Sequence, residues 1–196
     1  MNEDIIYNRR SIRKFLNKSI PKDIIEEIIK AGIVAPSAKN RQPWKYLIYS
    51  GENKNKLLQQ MENGIIKEEM EPFFKNSLNG IPDAKYTLSV MKKAPVIIMV
   101  VNTNGEDPFK NKTPDDRFIE ICDILSIGAS IENMLLKATE LGIGSLWIAN
   151  TFYAYNELAE FMNTNNEIIS AIALGYPEEK PNARPRKSFS DIAEFI

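Results

Sequence analysis

The apolar run APVIIMVV, from Ala94 to Val101, constrains the fold of this chain more than any other stretch. It contains no charged residue and no polar side chain, and it is far shorter than the ~20 residues that a helix needs to cross a bilayer. A short apolar run of this kind is typical of a buried strand. The run therefore predicts a strand inside a folded domain, covered by other elements.

Helical and strand-like patterns alternate on both sides of this run. We predict helices where apolar residues recur at helical spacing, and strands where short apolar or aromatic runs end at turn signals. The predicted helices are Glu3–Tyr7, Pro21–Gly32, Glu52–Lys67, Asp115–Leu141 and Tyr155–Met162, and the other predicted strands are Trp44–Ser50, Ser145–Ala149 and Glu167–Tyr176. Helices dominate this order, which favours a layered architecture of helices packed on a sheet.

Three further segments carry predictions of their own. Residues Glu71–Lys93 hold Pro72, Gly80 and Pro82 in a broken helical pattern, which suits a mobile flap or lid. Residues 177–196 are rich in proline and charge, so we expect an extended arm over a surface. One apolar stripe of the long helix is expected to serve both core and interface. The stripe comprises Ile124, Ile127, Ile131, Leu135 and Ala138.

The composition excludes several kinds of chemistry. The chain has no histidine and one cysteine, Cys122, which rules out histidine-dependent triads, histidine-ligated metals and an intrachain disulfide framework. We therefore predict no metal site, and we expect that an enzyme of this composition uses a bound organic cofactor. Lys and Arg (25) nearly balance Asp and Glu (26), which argues against nucleic-acid binding. No signal-peptide pattern and no membrane-length run is present, so we expect a cytoplasmic protein.

The stretch RRSIRKF, Arg9–Phe15, concentrates positive charge on a chain whose net charge is only −1. This stretch could be a basic turn exposed to solvent. It could also be a nucleic-acid-binding patch, but no second cluster of basic and aromatic residues follows, which argues against that interpretation. A phosphate site is the third, because guanidinium forks match phosphate oxygens and Ser11 adds a hydroxyl donor. The alternation of Arg9, Ser11 and Arg13 would direct these side chains to one side of an extended segment.

Two other stretches are ambiguous when taken alone. PSAKNRQPW, residues 36–44, carries amide and hydroxyl groups of the kind that fix a heteroaromatic ring by its edge, but a plain helix-to-strand loop also explains it. ARPRK, residues 183–187, is either a basic site or a charged terminus. GIGSLW, residues 142–147, lacks the third glycine of a dinucleotide-binding loop and precedes a strand, so we reject that interpretation.

Taken in order, these stretches resemble the nitroreductase family of FMN-dependent oxidoreductases. The ordered set is RRSIRKF near the N-terminus, APSAKNRQPW about 25 residues later, LGIGSLWIAN after the long helix, and LGYPEEKPNARPRKSF at the end. No single motif is decisive, whereas the order is specific. The likeness extends from Tyr7 to about Ile192.

The resemblance implies an α+β fold, a three-layer sandwich whose central mixed, mainly antiparallel sheet is flanked by helices in an intertwined homodimer. It implies one FMN-binding domain over residues 1–196, with 177–196 as a C-terminal arm. FMN would lie at the subunit interface, its phosphate held by the two basic stretches, with the 36–42 loop reaching it from the other subunit. The implied cofactor-binding residues are Arg9, Arg10, Ser11, Arg13, Pro36, Ser37, Asn40, Gln42, Trp147, Ile148, Ala149, Arg184 and Arg186.

The implied activity is that of an oxidoreductase that takes hydride from NADH or NADPH and reduces nitroaromatic, quinone or similar flat aromatic acceptors by a ping-pong route. Flavin N5 would carry the hydride, so no side chain is assigned as catalytic. Phe73 and Phe74 are candidates for a stacking substrate lid. Where larger members have an acidic residue near N5, this chain has Ala149 and Asn150. The alternatives are a reductive dehalogenase or an ene-type reductase on the same scaffold, or a non-catalytic flavin carrier or redox sensor.

Overall fold

The computed structural model describes residues 4–196. Within them, the strands form one four-stranded antiparallel sheet in the order β1-β2-β4-β3. The strands are β1 (Trp44–Ser50), β2 (Val96–Asn102), β3 (Gly144–Ile148) and β4 (Glu167–Gly175). Every residue of β2 is buried, and the strand lies between β1 and β4, which confirms the interior strand expected from its apolar run.

The predicted helices are also present, with shifted boundaries. They are α1 (Ile5–Asn8), α2 (Lys22–Ile33), α3 (Gly51–Met70), α5 (Pro114–Glu140) and α6 (Tyr155–Met162), and a further helix, α4 (Ser77–Lys93), was not predicted. The predicted start of the first helix, Glu3, lies outside the described residues. The long helix α5 begins where Thr113 accepts a hydrogen bond from Asp116 N at 3.2 Å, with Pro114 in the first turn.

The helices cover both faces of the sheet and make three layers. Alternate residues of β2 face opposite ways, so Ile98 packs with residues of α2 and α5, while Met99 packs with residues of α3, α4 and α6. On the first side, α2 lies so close to α5 that a Cβ on Gly32 would be 2.7 Å from Met134 Cγ. This arrangement confirms the expected α+β sandwich. The sheet is antiparallel rather than mixed, and the parallel pairing is a single bridge from Ser11 to Ser145.

The broken helical pattern predicted for residues 71–93 is wrong over most of its length. Residues Ser77–Lys93 form the continuous helix α4, which includes Pro82. The helix persists because one of its faces packs into the core, where Leu88 and Met91 are buried. The non-helical part is confined to residues 71–76. Tertiary packing therefore outweighs the local disruption that Gly80 and Pro82 predict.

The apolar stripe of α5 continues beyond the core. Its members from Ile127 onward are buried, whereas Ile124 is half-exposed, so that residue does not belong to the monomer core. Phe118 and Leu125 are 68% and 69% exposed on the same helix. The arm after Gly175 forms no long element and leaves its large apolar residues exposed. These are Phe189, Ile192, Phe195 and Ile196.

No helix in the described part of the chain combines the length and the apolar content that crossing a membrane requires.

Candidate functional site

The N-terminal arginines and the arginines of the arm line one open cleft. Its cavity volume is about 280 Å³. The polar side chains that line it come from two stretches at opposite ends of the chain. They are Arg9, Arg10, Ser11, Arg13, Asn182, Arg184 and Arg186. The structure therefore brings together the two basic stretches that the sequence analysis paired.

The N-terminal stretch is held against the edge strand β3. Ile12 N donates to Ser145 O at 2.9 Å, and Ser11 pairs with Ser145 in a parallel bridge. The close approach depends on Gly144, where a Cβ would lie 2.9 Å from Ile12 Cγ2. Ile12 and Phe15 are buried in the core. Arg9, Ser11 and Arg13 line the cleft together, but Arg10 lines it as well, so the segment does not follow a strict alternation.

After β4, the start of the arm forms backbone hydrogen bonds with the N-terminal stretch. Leu16 N donates to Tyr176 O at 2.9 Å, and Glu178 N donates to Lys14 O at 3.0 Å. The Glu179 carboxylate then accepts from the backbone N–H groups of Arg13 and Lys14, at 2.5 and 3.1 Å. These bonds direct residues 181–186 back over the first arginines.

The charge of the cleft is largely uncompensated. Among the described residues, the one carboxylate paired with a cleft arginine is Glu132, whose Oε1 lies 3.3 Å from Arg9 Nε. Arg10 donates to the Tyr7 and Arg9 carbonyls at 2.6 and 2.8 Å, which fixes its direction without neutralising it. Five guanidinium groups facing one cavity make a site suited to a polyanionic group such as a phosphate.

At the end of β3, two of the three residues expected along the flavin are accessible. Trp147 is half-exposed, with its indole N–H 3.1 Å from Ser170 Oγ, and Ala149 is exposed. The Ile148 side chain is buried in the core, so only its backbone could contact a bound molecule. Asn150 comes next, and its side-chain amide donates to Asp83 and Thr87 on α4.

The loop between α2 and β1 carries the remaining predicted residues and lies outside the cleft. Pro36, Asn40 and Gln42 are exposed, and Ser37 is partly exposed. None of them lines the arginine cleft of the same chain. Within the described chain, the structure therefore separates the phosphate-type site from the loop that was expected to serve it.

Phe73 and Phe74 belong to an aromatic cluster. Their ring centroids are 5.1 Å apart, and Phe73 lies 4.9 Å from Phe109, a residue that the sequence analysis missed. The buried carboxylate of Glu68 accepts from the backbone N–H groups of both phenylalanines, at 3.1 and 3.0 Å. Their cavity of about 360 Å³ shares no lining residue with the arginine cleft, so the lid role stays a prediction.

A buried pair of carboxyl groups was also missed. Glu120 on α5 pairs with Lys112 and Arg117, while Glu167 on β4 accepts from Asn102 Nδ2 at 3.1 Å. Burial raises the pKa of Glu167 to about 7; the Asn102 hydrogen bond opposes this, and Glu120 adds to it. Burial would also raise the pKa of Glu120, but Lys112, Glu167 and Arg117 together lower it below the usual value.

Comparison with known proteins shows the family to which the chain belongs. The sequence model of the nitroreductase family matches residues 6–176, so the chain belongs to the nitroreductase family. The matched range includes the arginine stretch, the 36–42 loop and the end of β3.

Individual relatives agree with this assignment. The chain is 30% identical over 182 residues to "Putative NADH dehydrogenase/NAD(P)H nitroreductase" of Archaeoglobus fulgidus, covering 90% of this chain and 85% of that protein. A BluB-like flavoprotein from Clostridium difficile 630 is 28% identical with a TM-score of 0.77, over 98% of this chain and 97% of the other. The FMN-dependent nitroreductase NfnB from Mycobacterium smegmatis, solved with NADPH, is 18% identical and shares the fold, with a TM-score of 0.75 over 98% and 96%.

Proposed function

We propose that this chain is an FMN-dependent NAD(P)H oxidoreductase that reduces flat aromatic acceptors such as nitroaromatics and quinones by a ping-pong route. The observation that carries the proposal is the arginine cleft. Family membership supports the same class of activity, and relatives of the chain are named as flavoproteins and NAD(P)H nitroreductases.

The residues of the cleft fit the phosphate of FMN. Five guanidinium groups and the Ser11 hydroxyl face a cavity that could accept a phosphate, and one carboxylate competes for them. Each charge-assisted hydrogen bond to such a dianion contributes roughly 1.5–3 kcal/mol. Strand β3, which pairs with Ser11 at Ser145, carries the half-exposed Trp147 and is followed by the exposed Ala149, and we assign both residues to the flavin ring.

FMN would supply the two-electron chemistry for which a chain without histidine has no obvious side chain. The residues of the chain are then needed for binding and orientation. The arginines bind the phosphate, the end of β3 covers one side of the ring, and Phe73 and Phe74 are the candidates for contact with the acceptor.

We propose that the active form is a homodimer. The 36–42 loop does not reach the arginine cleft of its own chain, so a second copy would be needed to bring the two together. Phe118, Leu125 and Phe195 leave apolar surface exposed on α5 and on the arm. Burial of such surface against a second copy would favour association.

The proposal is tested by the flavin content and reactivity of the purified protein. We expect a yellow protein that releases FMN on denaturation, and whose flavin absorption band bleaches when NADH or NADPH is added without oxygen. Bound FMN that neither donor reduces would favour a flavin carrier and contradict the enzyme. A panel of nitroaromatics, quinones and halogenated phenols, added after bleaching, would identify the acceptor class.

A further inference from the structure

The loop between α2 and β1 has an unusual backbone. Lys39, Asn40 and Gln42 have φ angles of 54°, 52° and 48°, which lie in the left-handed region. Residues with a Cβ rarely adopt this conformation, and in residues 4–196 the one other non-glycine example is Asn163. Three such residues within four positions persist only where the surrounding structure holds them.

Contacts with α5 keep the loop in this conformation. Arg41 directs its Nε and Nη2 atoms to Asp123 Oδ1, at 2.9 and 2.7 Å. Asp123 is 1% exposed, and its other oxygen accepts from Asn104 Nδ2 at 3.2 Å. In addition, Ala38 N donates a hydrogen bond to Ser126 Oγ on α5, at 3.2 Å. The loop is therefore hydrogen-bonded to α5 on both sides of Lys39 and Asn40.

Bonds inside the loop set the direction of its polar groups. Gln42 N donates to Ser37 Oγ at 3.0 Å, and Gln42 Nε2 donates to Asn40 Oδ1 at 3.3 Å. The amide groups of Asn40 and Gln42 remain at the exposed side of the loop. Arg41 faces the other way, because its guanidinium group is bound to Asp123.

We infer that Asp123 and Arg41 are positioning residues for flavin binding: their ion pair holds the strained loop so that its hydroxyl and amide groups are in place before the ring arrives. The inference rests on the proposed function. A site formed in advance avoids ordering the loop at the moment of binding, which improves affinity without a direct contact. Arg41 therefore acts through its neighbours and is not itself a ligand.

The positioning role predicts how loss of the ion pair changes the affinities for FMN and for riboflavin. The loop offers groups for the ring and lies apart from the phosphate-type cleft, so loss of the ion pair should weaken FMN and riboflavin by the same factor. A defect in the arginine cleft would instead weaken FMN alone. Loss of the ion pair also destabilises the fold, because hydrogen bonds between the loop and α5 are lost, and a control must therefore separate the two effects.

The test compares Asp123→Asn, Arg41→Lys and the control Glu120→Gln. Glu120 is also a buried carboxylate on α5, close in sequence to Asp123, but its partners are Lys112 and Arg117, not the loop. Dissociation constants for FMN and riboflavin are measured by flavin fluorescence on dilution of the flavin-loaded protein, at a temperature where urea unfolding shows each variant to be folded.

We expect Asp123→Asn to raise both dissociation constants about tenfold and Arg41→Lys about threefold, since lysine keeps the charge but loses the forked geometry. Glu120→Gln should change neither constant by more than about twofold. Wild-type affinity in Asp123→Asn, an equal loss in Glu120→Gln, or a loss for FMN alone would overturn the inference. A wild-type protein that binds neither flavin would refute the proposed function as well, whereas the other outcomes refute the positioning role alone.

Discussion

The side-chain amide of Asn150 donates a hydrogen bond of 2.9 Å to the carboxylate of Asp83. The same amide nitrogen lies 3.1 Å from Thr87 Oγ1, one turn further along α4. These bonds join the end of β3, which we assign to the flavin, to the helix that was expected to be a mobile flap. An acidic residue at position 150 would face Asp83 with like charge.

The contribution of the hydrogen bond between Asn150 and Asp83 can be tested by exchanging these two side chains. Asn150→Asp should lower the free energy of unfolding by about 1 kcal/mol, because a donor is lost and two carboxylates meet. The double variant Asp83→Asn with Asn150→Asp should recover most of the loss, since the amide then donates from the other side. Urea unfolding at neutral pH and low salt is the measurement. Equal stability of the single and double exchanges would show that the bond contributes nothing.

The phosphate assignment is tested by removing cleft arginines singly. Arg9→Ala or Arg186→Ala should weaken FMN binding by about one to two decades, because each loses a charge-assisted bond of roughly 1.5–3 kcal/mol. Riboflavin, which lacks the phosphate, should bind as before. Lys187→Ala is the matched control, since Lys187 is a neighbouring cation that does not line the cleft. A similar loss for both flavins would refute the assignment.

The buried carboxyl pair predicts how stability depends on pH. The pKa of Glu167 is about 7 in the folded protein, against a reference value of 4.5. The folded state therefore binds this proton more tightly than the unfolded chain. The resulting stabilisation is complete below pH 4.5 and is lost as the pH rises through about 7.

Glu167→Gln isolates this contribution because glutamine stays neutral and can still bond to Asn102. Between pH 5 and 8, we expect the free energy of unfolding of the wild type to fall relative to that of the variant by roughly 1–3 kcal/mol. Chemical unfolding of both proteins at several pH values gives the difference, in which the other groups cancel. A difference that does not change with pH would mean that Glu167 titrates normally.

The dimer proposal is tested at the exposed face of α5. Leu125→Asp should shift the protein towards a monomer in light scattering at micromolar concentration, because a charge on an apolar interface must be desolvated on association. Leu78→Asp is the control, since Leu78 is similarly exposed but lies on α4. A wild-type monomer with FMN bound would contradict the proposal, as would equal dissociation of both variants.

Much of the architecture was predictable because it depends on local pattern. The apolar run at β2 and the helical spacing of apolar residues in α5 each indicate which residues are buried. Both elements were therefore predicted correctly. The alternation predicted for Arg9, Ser11 and Arg13 was too simple, since Arg10 lines the same cleft. The family resemblance paired the two basic stretches, and the structure places them around one cleft.

The sequence by itself determined the strands, five of the six α-helices in residues 4–196, their order and the residue types available for binding. Tertiary structure alone decided that α4 is a helix despite Pro82, that Phe109 joins Phe73, and that Glu120 meets Glu167 from 47 residues away. It also decided that Arg41 turns to Asp123 rather than outward. The physical reason is common to these cases: each depends on the energy of burial or of a contact between distant segments, which the local sequence does not encode.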